Sequence, residues 1–297
     1  MTKPKIIVIV GPTASGKTGL AIELAKKFDG EVVSADSRQV YKGLDIGSAK
    51  VTPEEMDGVP HHLLDVANPK EVYTAADYKR DATKAIEGIL ARGKLPIICG
   101  GTFFYIDTLL GKVSIPEVEP DEELRAILEE KSAAELFSIL QSLDRNRAAN
   151  IEKDNPRRLV RAIEIARQLG KVPLLQESPC PYDVLTIGLK VDMKTHGEIL
   201  KRRIMERLDA GMITEVERLI ESGVTHDRLE AFGLEYRYLS RWLRGLLTRD
   251  QMIEELTTKS RQFAKRQLTW LKRDDSIRWF DRSDLGIVHE VQRFLEQ

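Results

Sequence analysis

Cysteine is scarce in this chain: two occur in 297 residues, Cys99 and Cys180. They lie far apart and match neither a CxxC nor a metal-ligand spacing, which excludes a disulfide framework and a cysteine-built metal site and points to a reducing compartment. Cys99, inside the apolar run LPIICGG, reads as a small buried hydrophobe. Long apolar runs are also missing. Nothing approaches the ~18 residues of a membrane span, and MTKPK before the first apolar run is too short for a signal peptide, so a cytoplasmic protein is expected. Charge of one sign is absent too. With 46 basic against 47 acidic side chains, a polyanionic partner must be held by local basic surface. There is no internal repeat and no low-complexity tract. What is present is 42% apolar residues, enough to build a real core, ordinarily in about two domains at this length.

The most informative segment is IIVIVGPTASGKT, Ile6 to Thr18, an apolar strand running into a GxxxxGKT phosphate loop. The loop comprises Gly11, Pro12, Thr13, Ala14, Ser15, Gly16, Lys17 and Thr18. Its glycines permit backbone angles that turn several N–H groups onto one anion, and the helix predicted from GLAIELAKKF aims its positive end there. Lys17 adds a mobile positive charge, and the Thr18 hydroxyl suits a magnesium ion bridging phosphate oxygens. Eighteen residues beyond Thr18 a second motif, DSRQVY, begins at Asp36.

Through the first third, β-branched runs alternate with helical patterns: KIIVIV, TGLAIELAKKF, EVVSAD, a long helix from about Ala75 to Arg92, then KLPIICGG. The alternation predicts an α/β fold, a P-loop NTPase-like parallel sheet flanked by helices. Active groups collect at the carboxyl ends of such strands, which places Lys17, Asp36 and Thr102 near one another. From 113 the texture becomes proline-rich and acidic, then helical, until a second proline cluster, SPCPYD. LTIGLKVD returns to strand composition. The segment 113–182 is therefore expected to be an inserted all-helical domain, between a first part of the core at 1–112 and its completion with C-terminal helices at 183–297. Everything from Thr195 onward reads as helix apart from a short tail.

Asp36 has three open readings from the residues alone: a helix cap, a magnesium ligand in a nucleotide hydrolase, or a general base facing the loop. Its neighbours Ser37, Arg38 and Gln39 suit a base edge or a phosphate, which favours substrate recognition. Two basic stripes support a nucleic-acid partner. Arg157, Arg158 and Arg161 share about one helical turn opposite Leu159, Ala162 and Ile163, and Arg261, Lys265 and Lys272 recur at spacings of four and seven. Along that second helix Leu256, Phe263 and Trp270 recur at sevens and read as core. The adjacent His61 and His62 show no carboxylate partner in the sequence and read as packing or loop contacts.

Taken in order, GPTASGKT, DSRQVYKGLDIGSAK, HHLLD, GGT, NPRRLVRAIEI and RQFAKRQLTWLKR closely resemble the successive motifs of the tRNA dimethylallyltransferases, also called tRNA isopentenyltransferases. The resemblance covers roughly the whole chain. Two segments depart from it: Phe103 and Phe104 follow GGT where the family usually has a glycine and an aliphatic residue, which bears on the prenyl pocket, and AFGLEYRYL around Gly233 differs from the shorter bacterial pattern. The resemblance implies transfer of a dimethylallyl group from dimethylallyl diphosphate to N6 of adenine 37 in tRNAs, with Mg2+. It implies that the Gly11–Thr18 loop binds diphosphate, with Lys17 and Arg207 stabilising it and Thr18 holding the metal. Asp36 would be the base and Thr102 would orient the reacting groups. Asp36, Ser37, Arg38, Gln39, Thr102, Arg157, Arg158, Arg161, Arg261 and Lys265 would meet the anticodon stem-loop of the tRNA, bound by a monomer. A small-molecule kinase or nucleotide hydrolase shares the loop and an acid ending the second strand, but leaves the basic insertion unexplained. Prenyl transfer to a free adenine nucleotide is a second rival, against which the long insertion argues. A non-catalytic RNA-binding module is a third, and the intact set of Gly11, Gly16, Lys17, Thr18 and Asp36 argues against it.

Overall fold

The computed structural model describes residues 3–116, 118–119, 121–173 and 178–297. It divides into two compact units, one comprising the chain up to Gly111 and from Pro179 onward, the other Lys112–Ser178.

The first unit is built on a parallel sheet in the order β3-β2-β4-β1-β5-β6. The strands are β1 (Lys5–Val10), β2 (Gly30–Ser34), β3 (His61–His62), β4 (Leu95–Cys99), β5 (Asp183–Leu189) and β6 (Arg278–Phe280). β1 lies between β4 and β5 and reads as a continuous apolar run because both its faces are covered. Alternate residues serve opposite sides: Ile6, Val8 and Val10 enter one apolar cluster, Ile7 and Ile9 the other. Its helices are α1 (Lys17–Lys27), α2 (Pro53–Met56), α3 (Ala75–Ala91) and α4 (Phe103–Leu109). α3 starts where a capping box allows it to start, with the Thr74 hydroxyl accepting from the Asp77 N–H and the Asp77 carboxylate accepting from the Thr74 N–H.

The second unit contains α5 (Glu122–Glu129), α6 (Ala133–Leu143), α7 (Arg145–Ala149) and α8 (Pro156–Leu169) around a core that includes Leu128, Leu136, Leu140, Leu159 and Ile163. α8 opens on an Asn155 cap with Pro156 in its first turn and closes on Gly170 in the left-handed conformation. Glu164 is fully buried here, accepting from Arg125, Arg161 and the Asp121 N–H. Burial alone would raise its pKa, but the two arginines and the Asp121 N–H outweigh it and hold the carboxyl below its usual range.

The remaining helices of the first unit are α9 (His196–Asp209), α10 (Met212–Glu221), α11 (His226–Phe232), α12 (Leu234–Leu243), α13 (Arg249–Leu271) and α14 (Gly286–Glu296). α9 to α13 supply a third apolar cluster, which includes Ile204, Met212, Phe232, Tyr236 and Leu256. No helix among the described residues is long and apolar enough to cross a membrane.

Four sequence expectations are corrected. The insertion closes at Ser178 and not at Tyr182, because the Tyr182 ring is buried in the core of the first unit. The C-terminal region is not wholly helical, since β6 adds to the edge of the sheet beside β5. His62 does have a carboxylate partner: its Nε2 lies 2.7 Å from Glu31 Oε2, on β2, against which β3 pairs. Phe263 and Trp270 are not core, being 40% and 43% exposed. The buried line of α13 runs Met252, Leu256, Ser260, Ala264, Gln267, Leu271. A straight helix lags a seven-residue repeat by about 20° per heptad, so a line drawn at sevens slides to the margin of that face.

Candidate active site

Three strand ends build the floor of one cleft. The chain leaves β1 into the phosphate loop, β2 into Asp36 and β4 into Gly100–Thr102, and these strands are neighbours in the sheet. In the loop, Gly11 and Gly16 have φ of 155° and 86°, and a Cβ on Gly11 would lie 2.8 Å from Ser15 Oγ and 3.2 Å from the Leu189 carbonyl. Only glycine permits that close turn. Gly16 then caps α1, so the helix N-terminus opens toward the loop. Lys17 folds back, its Nζ donating to the Gly11 and Pro12 carbonyls at 3.0 and 2.7 Å. Burial is the main cause pulling its pKa down; Cys99 and Asp36 oppose this and the Arg203 charge adds to it. The Cys99 thiol, buried beside the loop, is pushed up to about 12, as expected of an inert structural cysteine.

The two carboxylate oxygens of Asp36 are engaged differently. Oδ1 accepts from the Arg38 N–H at 2.8 Å and the Gln39 N–H at 3.4 Å, which fixes the turn. Oδ2 has no hydrogen bond among the described residues. Thr102 braces the same turn: its N–H donates to the Ala35 carbonyl at 3.0 Å, and its Oγ1 accepts from the Ser37 N–H at 2.9 Å. The GGT turn can approach so closely because Gly100 lacks a side chain; a Cβ there would lie 2.2 Å from the Ala35 carbonyl oxygen. Gln39 lines the cleft with its amide already engaged, accepting from Ser34 Oγ and donating to the Ala49 carbonyl. Arg38 also lines it. Burial lowers its pKa, the one hydrogen bond of its guanidinium among the described residues goes to the Ser37 carbonyl at 3.3 Å, and Gly233 makes room for that group.

The opposite wall comes from α9, the α11–α12 junction and α13. Arg203 and Arg207 both line the cleft. Arg207 is committed in part, donating to the Gly47 carbonyl at 2.8 Å and pairing with Glu235 at 3.1 Å. The Arg203 guanidinium has no hydrogen bond or ion pair among the described residues, and burial followed by the Arg207 charge lowers its pKa. The Gly47–Ala49 rim is held by Glu215, a buried carboxylate that accepts the N–H groups of Asp45, Ile46 and Gly47 and the Tyr236 hydroxyl. Leu200, Ile204, Phe232, Leu234 and Phe263 supply apolar surface. Phe103 and Phe104 do not line the cleft: Phe103 is buried in the sheet core and Phe104 is 48% exposed, so the departure after GGT leaves the cleft wall untouched.

The structure thus brings together Thr13, Ala14, Lys17, Thr18, Asp36, Ser37, Arg38, Gln39, Thr102 and Arg207. Arg261 and Lys265 are exposed on α13 and do not line the cleft. In the helical unit Arg157 and Arg158 are exposed, with Arg158 pairing to Glu152, whereas the Arg161 guanidinium is spent on Glu164 and the Val118 carbonyl. Among the described residues no group of three or more His, Cys, Asp or Glu is placed to hold a metal. The hard oxygen donor of Thr18, which lines the cleft, nevertheless fits a magnesium ion held mainly by phosphate oxygens.

A family model described as IPP transferase matches residues 39–274. The chain belongs to the tRNA dimethylallyltransferase family. It is 37% identical to a tRNA dimethylallyltransferase of Halalkalibacterium halodurans, over 99% of this chain and 97% of that one. To the corresponding protein of Thermomicrobium roseum it is 42% identical, over 100% and 92%. Among solved structures, a tRNA isopentenylpyrophosphate transferase from Bacillus halodurans superposes with a TM-score of 0.74 at 36% identity, covering 99% and 96%. A eukaryotic dimethylallyltransferase, captured acting on tRNA, gives 0.81 at 30% identity, covering 95% and 75%. The fold, the enzyme class and the tRNA substrate are those of this family. Arg203, Phe263 and Gln267 line the cleft without a role assigned to them from sequence. Arg203 lies one turn from Arg207 on α9, and Phe263 and Gln267 fall within RQFAKRQLTWLKR, where nothing local distinguishes them from core positions.

Proposed function

We propose that this cleft joins a dimethylallyl group to N6 of adenine 37 in tRNA, taking it from dimethylallyl diphosphate and releasing diphosphate. The observation that carries the reading is that Lys17 and Thr18 of the anion-binding loop, the Asp36 carboxylate and an apolar wall share one cleft. The loop N–H groups receive the diphosphate, Lys17 swings from the loop carbonyls onto it, and Arg203 and Arg207 approach from α9. The five-carbon tail lies against Leu200, Ile204, Phe232 and Leu234. The Thr18 hydroxyl would help to hold a magnesium ion, which when bound would neutralise charge on the leaving group.

The reaction is a substitution at the allylic carbon. The C–O bond to diphosphate breaks, the C–N6 bond forms, and one N6 proton passes to Asp36. Adenine N6 is a weak nucleophile because its lone pair is delocalised into the ring; a hydrogen bond to Asp36 localises that pair, and no unusually strong base is needed because the nitrogen acidifies as it attacks. Thr102 acts by fixing the Ser37 turn that carries Asp36. Stacked anticodon bases cannot reach such a cleft, so the adenine must be splayed out.

Purified protein given dimethylallyl diphosphate, magnesium and unmodified tRNA should yield, on nucleoside digestion and mass analysis, adenosine carrying five added carbons. Hydrolysis of ATP with unmodified nucleosides would favour a kinase or hydrolase instead. For the RNA grip, Arg157→Ala and Arg158→Ala should each weaken tRNA binding and reduce its salt slope by about one. Arg161→Ala should act mainly on stability, because its guanidinium pairs with buried Glu164. Unchanged slopes in the first two variants would remove α8 from the RNA contact.

A further inference from the structure

Gln267 lies in the middle of α13, is 5% exposed, and touches two functional loops at once. Its Oε1 accepts from the Thr13 N–H of the phosphate loop at 2.9 Å, and its Nε2 donates to the Gly101 carbonyl of the GGT turn at 3.1 Å. One orientation of the amide satisfies both bonds, since an N–H faces its oxygen and a carbonyl faces its nitrogen. A glutamate would set oxygen against oxygen at Gly101. Gly101 itself leaves the space, for a Cβ there would sit 2.9 Å from Nε2. The next residue is Thr102, which holds Ser37 and with it the Asp36 turn.

We propose that Gln267 is a positioning residue for the transfer reaction: through its two hydrogen bonds it holds the phosphate loop and the GGT turn at a set separation, so that the diphosphate cradle and the Asp36 turn face each other. In the free protein Lys17 also pins the loop, from inside, through the Gly11 and Pro12 carbonyls. Once Lys17 leaves those carbonyls for an anion, Gln267 still holds the Thr13 N–H of the loop. The role rests on the diphosphate reading of that loop.

The test uses inorganic diphosphate with magnesium as the probe, measured by calorimetry on wild type, Gln267→Met, Gly101→Ala and the pair. Gln267→Met keeps the volume and removes both bonds; Gly101→Ala leaves the amide intact and pushes it aside. Each single variant should weaken diphosphate binding about tenfold or more. Each should also raise KM for the prenyl diphosphate and lower kcat, while KM for tRNA stays within about twofold, a split that a loss of general stability would not produce. The pair should be no worse than the weaker single variant, because both disturb one clamp. Should Gln267→Met fail to fold, Gly101→Ala carries the test alone. Wild-type diphosphate affinity in the folded single variants, or full additivity in the pair, would overturn the role of Gln267. A wild-type protein that does not bind diphosphate would overturn the diphosphate reading of the loop and this role with it.

Discussion

Asp36→Asn is expected to bind tRNA as wild type does and to slow prenyl transfer by roughly 10²–10⁴-fold, the span typical of a lost general base. The amide is isosteric with the carboxylate, so its oxygen can still accept from the Arg38 and Gln39 N–H groups and keep the turn closed. What disappears is the oxygen able to accept a proton from N6 as the C–N bond forms. Single-turnover transfer with saturating tRNA separates the two effects, because it bypasses product release. A rate equal to wild type would leave Asp36 as a turn-former only. A parallel loss of tRNA affinity would mean that its main contribution is to recognition.

Removing Lys17 should have an effect of similar size by a different route. Charge builds on the departing diphosphate oxygen, and deleting one aimed donor from such a site costs about 3–4 kcal/mol, or roughly 10²–10³ in rate. Lys17→Met should therefore slow single-turnover transfer to that extent and weaken the binding of diphosphate. The pH dependence gives an independent check. Burial lowers the Lys17 pKa from its ordinary 10.5, so in the free protein the ammonium is lost at a lower pH than an exposed lysine would lose it. Diphosphate favours the charged form. Its affinity should thus be complete below the lowered pKa and fall as pH rises through it, and Lys17→Met should abolish that alkaline fall. An identical alkaline limb in wild type and variant would assign the titration to another group.

Much of the cleft is legible in the chain because its chemistry sits where strands end. An apolar run followed by GPTASGKT, EVVSAD followed by SRQ, and LPIIC followed by GGT each announce a strand and the loop it delivers, and parallel topology then brings the three loops together. What stays hidden depends on partners distant in sequence. Gln267 looks like any polar residue on a long helix until Thr13, 254 residues away, is found donating to it. Glu31 and His62 meet because β3 pairs with β2, and two residues of strand are too short to be recognised from pattern. β6 is likewise a three-residue edge strand whose partner is β5. Phe263 could not be separated from core by a count at sevens, because the difference lies in a drift of tens of degrees around α13. Arg161 and Arg158 look equivalent in NPRRLVRAIEI, and only the buried Glu164 distinguishes the arginine that braces the helical unit from the one left at its surface.

Everything proposed for the cleft requires one spatial arrangement: a diphosphate seated on the glycine-rich loop and an adenine amine opposite it, bridged by one carboxylate. A crystal structure of the protein with diphosphate, magnesium and an anticodon stem-loop would show it outright. Diphosphate oxygens should lie on the N–H groups between Gly11 and Thr18, and the N6 of a splayed adenine should lie about 2.6–3.2 Å from an Asp36 oxygen. Diphosphate bound away from that loop, or an adenine whose N6 faces some group other than Asp36, would contradict the mechanism.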